Sequence, residues 1–453
     1  MKRNFTKIAG TALFLSLIIA GFQGKAQQTL AAADTKTKEV KQDAPATATE
    51  TRVAAKPAED TSWKPQRRVW GYTFGDFYYA NHTDQNTGAR GAEQNYAGVP
   101  TYRNAFQFRR IYLGYDYEIT KKFKAEFLLA SEPSANTGVN GSTSIQNGDN
   151  LVDGKMAFFI KNINLRYRDL WTGTDFVIGE MSTPGFALNE PGTNGPTSLS
   201  EATWGDRFIE KTVSDVHKTN SYDIGAALQG TFDPATKNFG YVLMVGNNST
   251  SSLLSAANAN TGFYKIIYGS LWGKFFNKHL YADVYTDYVR TAPATAAIPG
   301  QSHGMWKGFV SYQSSKLQIG VEAYTQKFTN GVTNSTTHAV EDATAQAFSI
   351  WAKVPIVKDK LTAFGRFDSY NPSTDFLTAD SYAGNTNFSS YNPTNKEKFY
   401  TFGLDLTPTK NVHFAPNVWL VDFKDQRDPS VTGYVAADHT LVYRLTFYYV
   451  FGK

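Results

Sequence analysis

From Val69 to the C-terminus, large apolar residues recur at every second position, with polar or charged residues between them. The closing stretch LVYRLTFYYVF shows the pattern. Leu441, Tyr443, Leu445, Phe447, Tyr449 and Phe451 share one face, while Val442, Arg444, Thr446 and Tyr448 share the other. Side chains on a strand alternate between faces, so this period predicts β-strands. About sixteen such segments follow one another: 70–80, 108–119, 123–130, 158–168, 174–181, 222–232, 239–246, 264–275, 280–289, 306–313, 317–326, 347–356, 361–370, 399–407, 412–421 and the closing stretch.

The connections alternate in length. Short ones fall at 120–122, 233–238, 314–316, 358–360 and 407–411. Long ones, rich in Asn, Thr, Ser and Gly, fall at 81–104, 132–155, 182–221, 247–262, 329–344 and 371–397. An antiparallel sheet of this many strands must close to protect its edges. Short turns at one end and long loops at the other are the asymmetry of an outer-membrane barrel, with periplasmic turns and extracellular loops. The fold class expected is therefore all-β: a transmembrane antiparallel β-barrel of about sixteen strands.

The apolar phase then faces lipid and the polar phase faces the lumen. Arg110, Lys124, Arg166, Arg168, Lys265, Lys307, Lys353, Arg366 and Arg444 fall on the inward phase. So do Asp116, Glu118, Glu126, Asp175, Asp283, Asp287, Glu322, Asp368 and Asp405. The residues chosen as pore-lining are Arg110, Lys124, Glu126, Arg166, Arg168, Lys307, Arg366, Asp368 and Arg444. Both signs are present in similar number, and mutual salt bridges that hold the wall's shape are the expected state of most of them. Two charges break the pattern: Arg109 and Lys161 sit on the apolar phase, where a cation facing mid-bilayer lipid costs about 2–4 kcal/mol. An interfacial position, a bulge or a subunit contact would each relieve that cost, and the subunit contact is the preferred expectation.

The longest connection follows the fifth strand. Ser198 and Glu201 have the spacing of a helix capping box. A short helix is expected there, in a third loop folded inward, with Glu201, Asp206, Arg207, Glu210 and Lys211 as constriction candidates.

The N-terminus adds a compartment. Lys2, Arg3 and Lys7 precede a short apolar run from Ile8 to Ala20, and Gly24-Lys25-Ala26 supplies small residues for cleavage. Residues 1–26 read as a signal peptide, 27–66 as a disordered periplasmic tail poor in large apolar residues, and 67–453 as the barrel. Losing the signal's four basic residues and no acidic ones lowers the net charge from +5 to +1, which removes the case for a nucleic-acid partner. Cysteine is absent, so no disulfide, thiolate nucleophile or cysteine metal site arises. The seven histidines are scattered and no nucleophile elbow, P-loop, zinc or dinucleotide motif is present. No enzyme activity, cofactor or metal is expected.

Four stretches in order, QFRRIYLGYDYEITKKFKAEF (107–127), NINLRYRDLWTGTDFVIGEMSTPGF (162–186), SYDIGAALQG (221–230) and FGRFDSYNPSTD (364–375), resemble the phosphate-selective porin O/P family. The resemblance implies a homotrimeric sixteen-stranded channel with an inward third loop. Arg110, Arg166, Arg168, Arg366 and Arg444 would then supply rungs of that family's arginine ladder. The acidic residues on the same face, and Glu190, Glu201, Asp206 and Glu210 in the third loop, weigh against strong selectivity. The reading is an outer-membrane porin of a Gram-negative bacterium, surrounded by lipid and passing small hydrophilic solutes or ions passively. A phosphate- or anion-selective channel, and a structural or adhesive barrel acting through its outer loops, are the alternatives.

Overall fold

The structure is a computed structural model that describes residues 63–84, 96, 99–131, 151–152, 155–156, 158–185, 212–217, 221–248, 264–291, 300–334, 337–376, 394–431, 433–436 and 438–452. The expected signal peptide and nearly all of the expected tail lie outside the described residues. Sixteen strands form one closed barrel. The first eight are β1 (Gln66–His82), β2 (Asn104–Glu118), β3 (Phe123–Ser131), β4 (Phe159–Trp171), β5 (Thr174–Ser182), β6 (Tyr222–Thr231), β7 (Phe239–Gly246) and β8 (Ile266–Phe275). The second eight are β9 (Leu280–Thr291), β10 (Gln301–Gln313), β11 (Gln318–Thr333), β12 (Val340–Val357), β13 (Leu361–Asn371), β14 (Asn395–Thr409), β15 (Val412–Asp425) and β16 (Asp438–Phe451). Each strand pairs antiparallel with its sequence neighbours, and β1 closes on β16 from Gly71↔Phe451 to His82↔Leu441. Outside the barrel, Leu151–Val152 and Lys155–Met156 form a two-residue ladder in the β3–β4 connection.

Every predicted segment overlaps one observed strand. The connections also keep their asymmetry, from two residues at Thr172-Gly173 and Lys410-Asn411 to the long spans 183–221 and 372–394. Gly173 (φ 81°) and Asn411 (φ 68°) take the left-handed conformation that such tight turns require. The expected loop at 329–344 is mostly strand instead. β11 runs to Thr333 and β12 starts at Val340, closed by hydrogen bonds from Asn334 N–H to Ala339 O (2.9 Å) and from His338 N–H to Asn334 O (2.9 Å). Backbone pairing above the apolar belt needs no apolar alternation, so this Asn- and Thr-rich extension reads as loop.

The two faces separate as the alternation predicts. Leu113, Ile163, Leu165, Leu243, Leu271, Val310, Phe402, Leu404, Tyr443 and Leu445 are exposed on the outside. Exposed aromatics gather near the turn end, including Phe123, Trp171, Phe232, Phe239 and Phe276, as interfacial girdles do. No described helix is long and apolar enough to cross a membrane.

The inner wall is polar and aromatic together. Three tryptophans on it lie over cross-strand glycines: Trp70 on Gly114, Trp272 on Gly240 and Trp351 on Gly320. A Cβ on any of these glycines would stand within 2.5 Å of its indole, so each glycine is the seat its tryptophan needs. All three pairs lie toward the turn end, where they shield backbone that glycine leaves bare.

Candidate functional site: the charged inner wall

On the turn-end half of β1 to β6, charges form a continuous chain. Arg68 Nη2 reaches Asp116 Oδ2 (3.1 Å), and Lys124 Nζ lies 3.7 Å from the same oxygen and 2.8 Å from Glu126 Oε1. Arg166 continues the chain to Glu126 (3.9 Å) and Asp175 (3.1 Å), and donates to Gln229 Oε1 (2.8 Å). Arg168 makes a two-pronged contact with Glu118 (2.6 and 2.9 Å) nearer the rim. Each cation therefore meets a carboxylate, which is how enclosed charge becomes tolerable. Lys124, Glu126, Arg166 and Arg168 stand together here, as salt-bridged wall residues.

The phase breaks at Arg109 and Lys161 are bulges, which corrects the subunit-contact expectation. In the β1–β2 ladder Phe74 pairs with Arg110 and Gly75 with Phe108, leaving Arg109 as the extra residue. Both arginines are consequently buried on the inner side. In the β3–β4 ladder Leu128 pairs with Asn162 and Leu129 with Ile160, leaving Lys161 extra. Its amine lies 5.5 Å from the ring of Tyr112 and 4.8 Å from that of Tyr222, both buried. One added residue re-aims a side chain, and here it turns two cations away from the outer face.

Arg109 joins a second cluster. Its Nη1 lies 3.3 Å from Asp76 Oδ2, while Arg444 Nη2 lies 3.2 Å from Asp76 Oδ1. Thr446 donates its hydroxyl to Asp76 (2.6 Å). The two guanidinium groups stand 5.0 and 3.8 Å from the Trp419 ring, and Arg110 lies 5.8 Å from Phe74. Asp76, Arg109 and Arg444 are almost wholly buried, at 0, 1 and 4% exposure. Tyr96, from the first long connection, packs edge-on against Trp419 and accepts from Gln107 (3.2 Å). Asp76, Arg68 and Trp419 were absent from the sequence-predicted set. Asp76 is the inward residue of GDF in β1, and its alternation phase marks it.

Both described ends of the third loop enter the lumen. At the start, Gly185 O accepts from Lys307 Nζ of β10. At the end, helix α1 (Val213–His217) begins at Thr212, whose hydroxyl accepts from Asp215 N–H (3.2 Å). Ser214 N–H donates to Glu322 Oε1 on β11 (2.9 Å), and Glu322 also lies 3.5 Å from Lys307. His217 stacks flat on Tyr370 of β13, with centroids 3.7 Å apart, and its Nε2 is 3.6 Å from Glu397 of β14. A loop rooted between β5 and β6 thus touches the wall from β10 to β14. The expected inward third loop is present, but its described helix follows the predicted capping box rather than starting at it. The capping box and the constriction candidates Glu201, Asp206, Arg207, Glu210 and Lys211 lie outside the described residues.

Arg366 pairs with Asp368 two positions along β13 (2.7 and 2.8 Å), beneath the Phe399 ring. Lys265 departs from the expected set: it precedes β8, is exposed, and falls on the opposite phase from the inward Ile266. At the turn end, a cavity of about 640 Å³ is lined by Lys353, Lys360, Lys410, Asp405 and His413 among others. There His413 Nδ1 is engaged by Asp405 (3.0 Å).

No protein-family model matches the chain, and no curated protein matches it. Among solved structures, the outer membrane channel DcaP of Acinetobacter baumannii is similar with a TM-score of 0.55 and 12% identity, covering 85% of this chain and 97% of that one. An anion-selective porin from Comamonas acidovorans is similar with a TM-score of 0.50 and 13% identity, covering 86% of this chain and 100% of that one. At these identities the likeness is one of fold: the chain has the closed barrel of outer-membrane porins. The resemblance to the phosphate-selective porin O/P family rests on the four sequence stretches alone.

Proposed function

We propose that this chain is an outer-membrane porin, a passive water-filled channel for small hydrophilic solutes or ions, with its turns periplasmic and its long loops outside. The observation that carries the reading is the third loop, anchored at both described ends to Lys307, Glu322, Tyr370 and Glu397 on the inner wall. A segment held across the lumen narrows it and sets which solutes pass. Charges of both signs on the wall would hydrate and orient solutes without strong preference. In this reading residues 1–26 direct export, 27–66 form a tail, and the barrel assembles as the homotrimer that the family resemblance implies. No covalent step is involved.

A second reading, anion preference, is favoured by the bulges. They add Arg109 and Lys161 to Arg110 and Arg444 on one side of the barrel, where Asp76 is shared between two arginines. One structural neighbour, from Comamonas acidovorans, is an anion-selective porin, which agrees with this variant.

The test is single-channel conductance of the purified, refolded protein in a planar bilayer under a potassium chloride gradient, followed by added phosphate. Stable steps with a reversal potential near zero support the general porin. An anion-sided reversal potential with chloride current blocked by phosphate supports the second reading. A folded, heat-modifiable barrel that gives no steps refutes both and turns attention to the outer loops.

A further inference from the structure

We propose that His82, Asp438 and His439 form a binding site for a divalent transition-metal ion, which fastens the loop end of the seam where the barrel closes. The seam joins β1 to β16, and the residues it brings together are 356 positions apart. That separation is why the sequence, with its scattered histidines, predicted no metal.

The local backbone assembles the group. The β1–β16 register steps from Ala80↔Val442 to His82↔Leu441, so Asn81 is an extra residue. Without that bulge His82 would stand opposite Thr440, which is buried on the inner wall. With it, His82 shares a side with Leu441 and hence with His439, its diagonal neighbour across the seam. Diagonal neighbours on paired strands are within reach of long side chains. The imidazole rings stack with centroids 4.4 Å apart at 30°. His82 Nε2 lies 2.8 Å, and His439 Nδ1 3.7 Å, from the same Asp438 oxygen.

Two imidazoles and one carboxylate have candidate ligand atoms all within 4.8 Å of one another. A tetrahedral ion bound at about 2.0–2.2 Å holds its ligand atoms roughly 3.3 Å apart, so small side-chain rotations complete the site. Asp438 Oδ1 also accepts the His439 backbone N–H (2.7 Å), which holds the carboxylate in place. The three side chains are 39, 27 and 46% exposed, so an ion can enter from solvent and keep water on its remaining positions.

An ion pair with Asp438 needs only one imidazole, and the group brings together two. A metal ion uses all three. Nitrogen ligands select zinc, nickel or copper over magnesium and calcium, which take oxygen.

The experiment is isothermal titration of the refolded full chain in detergent with Zn²⁺, and separately with Mg²⁺. One Zn²⁺ per chain is expected, with no saturable Mg²⁺ uptake. His82→Ala and His439→Ala should each weaken Zn²⁺ binding more than tenfold, whereas His279→Ala, at a turn on the opposite end, should leave it unchanged. Zn²⁺ should also raise the melting temperature of the wild-type chain, reversibly on chelation, and not that of His82→Ala. Heat-modifiable mobility shows that each variant is folded. Substoichiometric Zn²⁺, or binding unaltered in both folded histidine variants, overturns the proposal.

Discussion

Replacing Asp76 by asparagine leaves the shape of its site intact and removes the one carboxylate that Arg109 and Arg444 share at 3.3 and 3.2 Å. Removing one partner of a buried ion pair costs about 3–5 kcal/mol, because the charge left behind stays desolvated. The asparagine oxygen can still accept from Thr446, which returns about 1 kcal/mol. Both guanidinium groups keep their contact with Trp419, so cation–π attraction is nearly unchanged. The net loss expected is about 2–4 kcal/mol of unfolding free energy. Urea titration of the refolded barrel, followed by tryptophan fluorescence, reads it. Adding Arg109→Leu should recover part of the loss, since it removes one of the two guanidinium groups that share Asp76 while Arg444 keeps its charge, and the double-mutant cycle should give a coupling above about 1 kcal/mol. In the planar bilayer the same Asp76→Asn protein should shift its reversal potential toward anions. A variant as stable as the parent within about 0.5 kcal/mol, the ordinary scatter of surface substitutions, would refute the argument.

Three further perturbations follow from the same geometry. Lys307→Ala and Glu322→Ala each remove an anchor of the third loop, so single-channel conductance and open-channel noise should both rise in planar bilayers; unchanged traces from both would mean that the loop does not narrow the path. Gly240→Ala places a methyl group 2.3 Å from the Trp272 ring and should cost about 1–3 kcal/mol in the same urea titration, with Gly308→Ala, where no atom lies within 4 Å, as the neutral control. In the β6–β7 turn, burial is the largest single influence on the Asp233 carboxyl and raises its pKa, but hydrogen bonds from Thr236 and from the Phe239 and Asn238 N–H groups together outweigh it and hold the group below its usual range. Its contribution is then complete above the unfolded value and lost as pH falls through the lowered folded value, so the protection factor of the Asn238 amide, its exchange rate relative to the unfolded chain at the same pH, should fall only in acid, and in Asp233→Asn should be reduced wherever the parent's Asp233 is ionised.

The strands were legible because each must satisfy lipid on one side, and that demand is written locally in alternate residues such as Leu441 to Phe451. The ion pairs were legible only as a phase. Alternation placed Lys124, Glu126 and Arg166 on one face, but the register that brings Asp76 to Arg109 and Arg444 belongs to three strands from both ends of the chain. The bulges lie between these cases. Arg109 and Lys161 were visible as violations, yet a single extra residue leaves perfect alternation on either side, and nothing local says which way it turns. Energy says it. A cation facing lipid costs about 2–4 kcal/mol, whereas a bulge gives up little more than one ladder hydrogen bond, worth about 1 kcal/mol. At both positions the chain takes the cheaper course. The same reasoning alters the charge count on which selectivity depends. A tally that discards cations on the apolar phase omits Arg109 and Lys161, both of which the folded wall carries on its inner side. In a barrel, an out-of-phase arginine or lysine is therefore better counted with the lumen than against it.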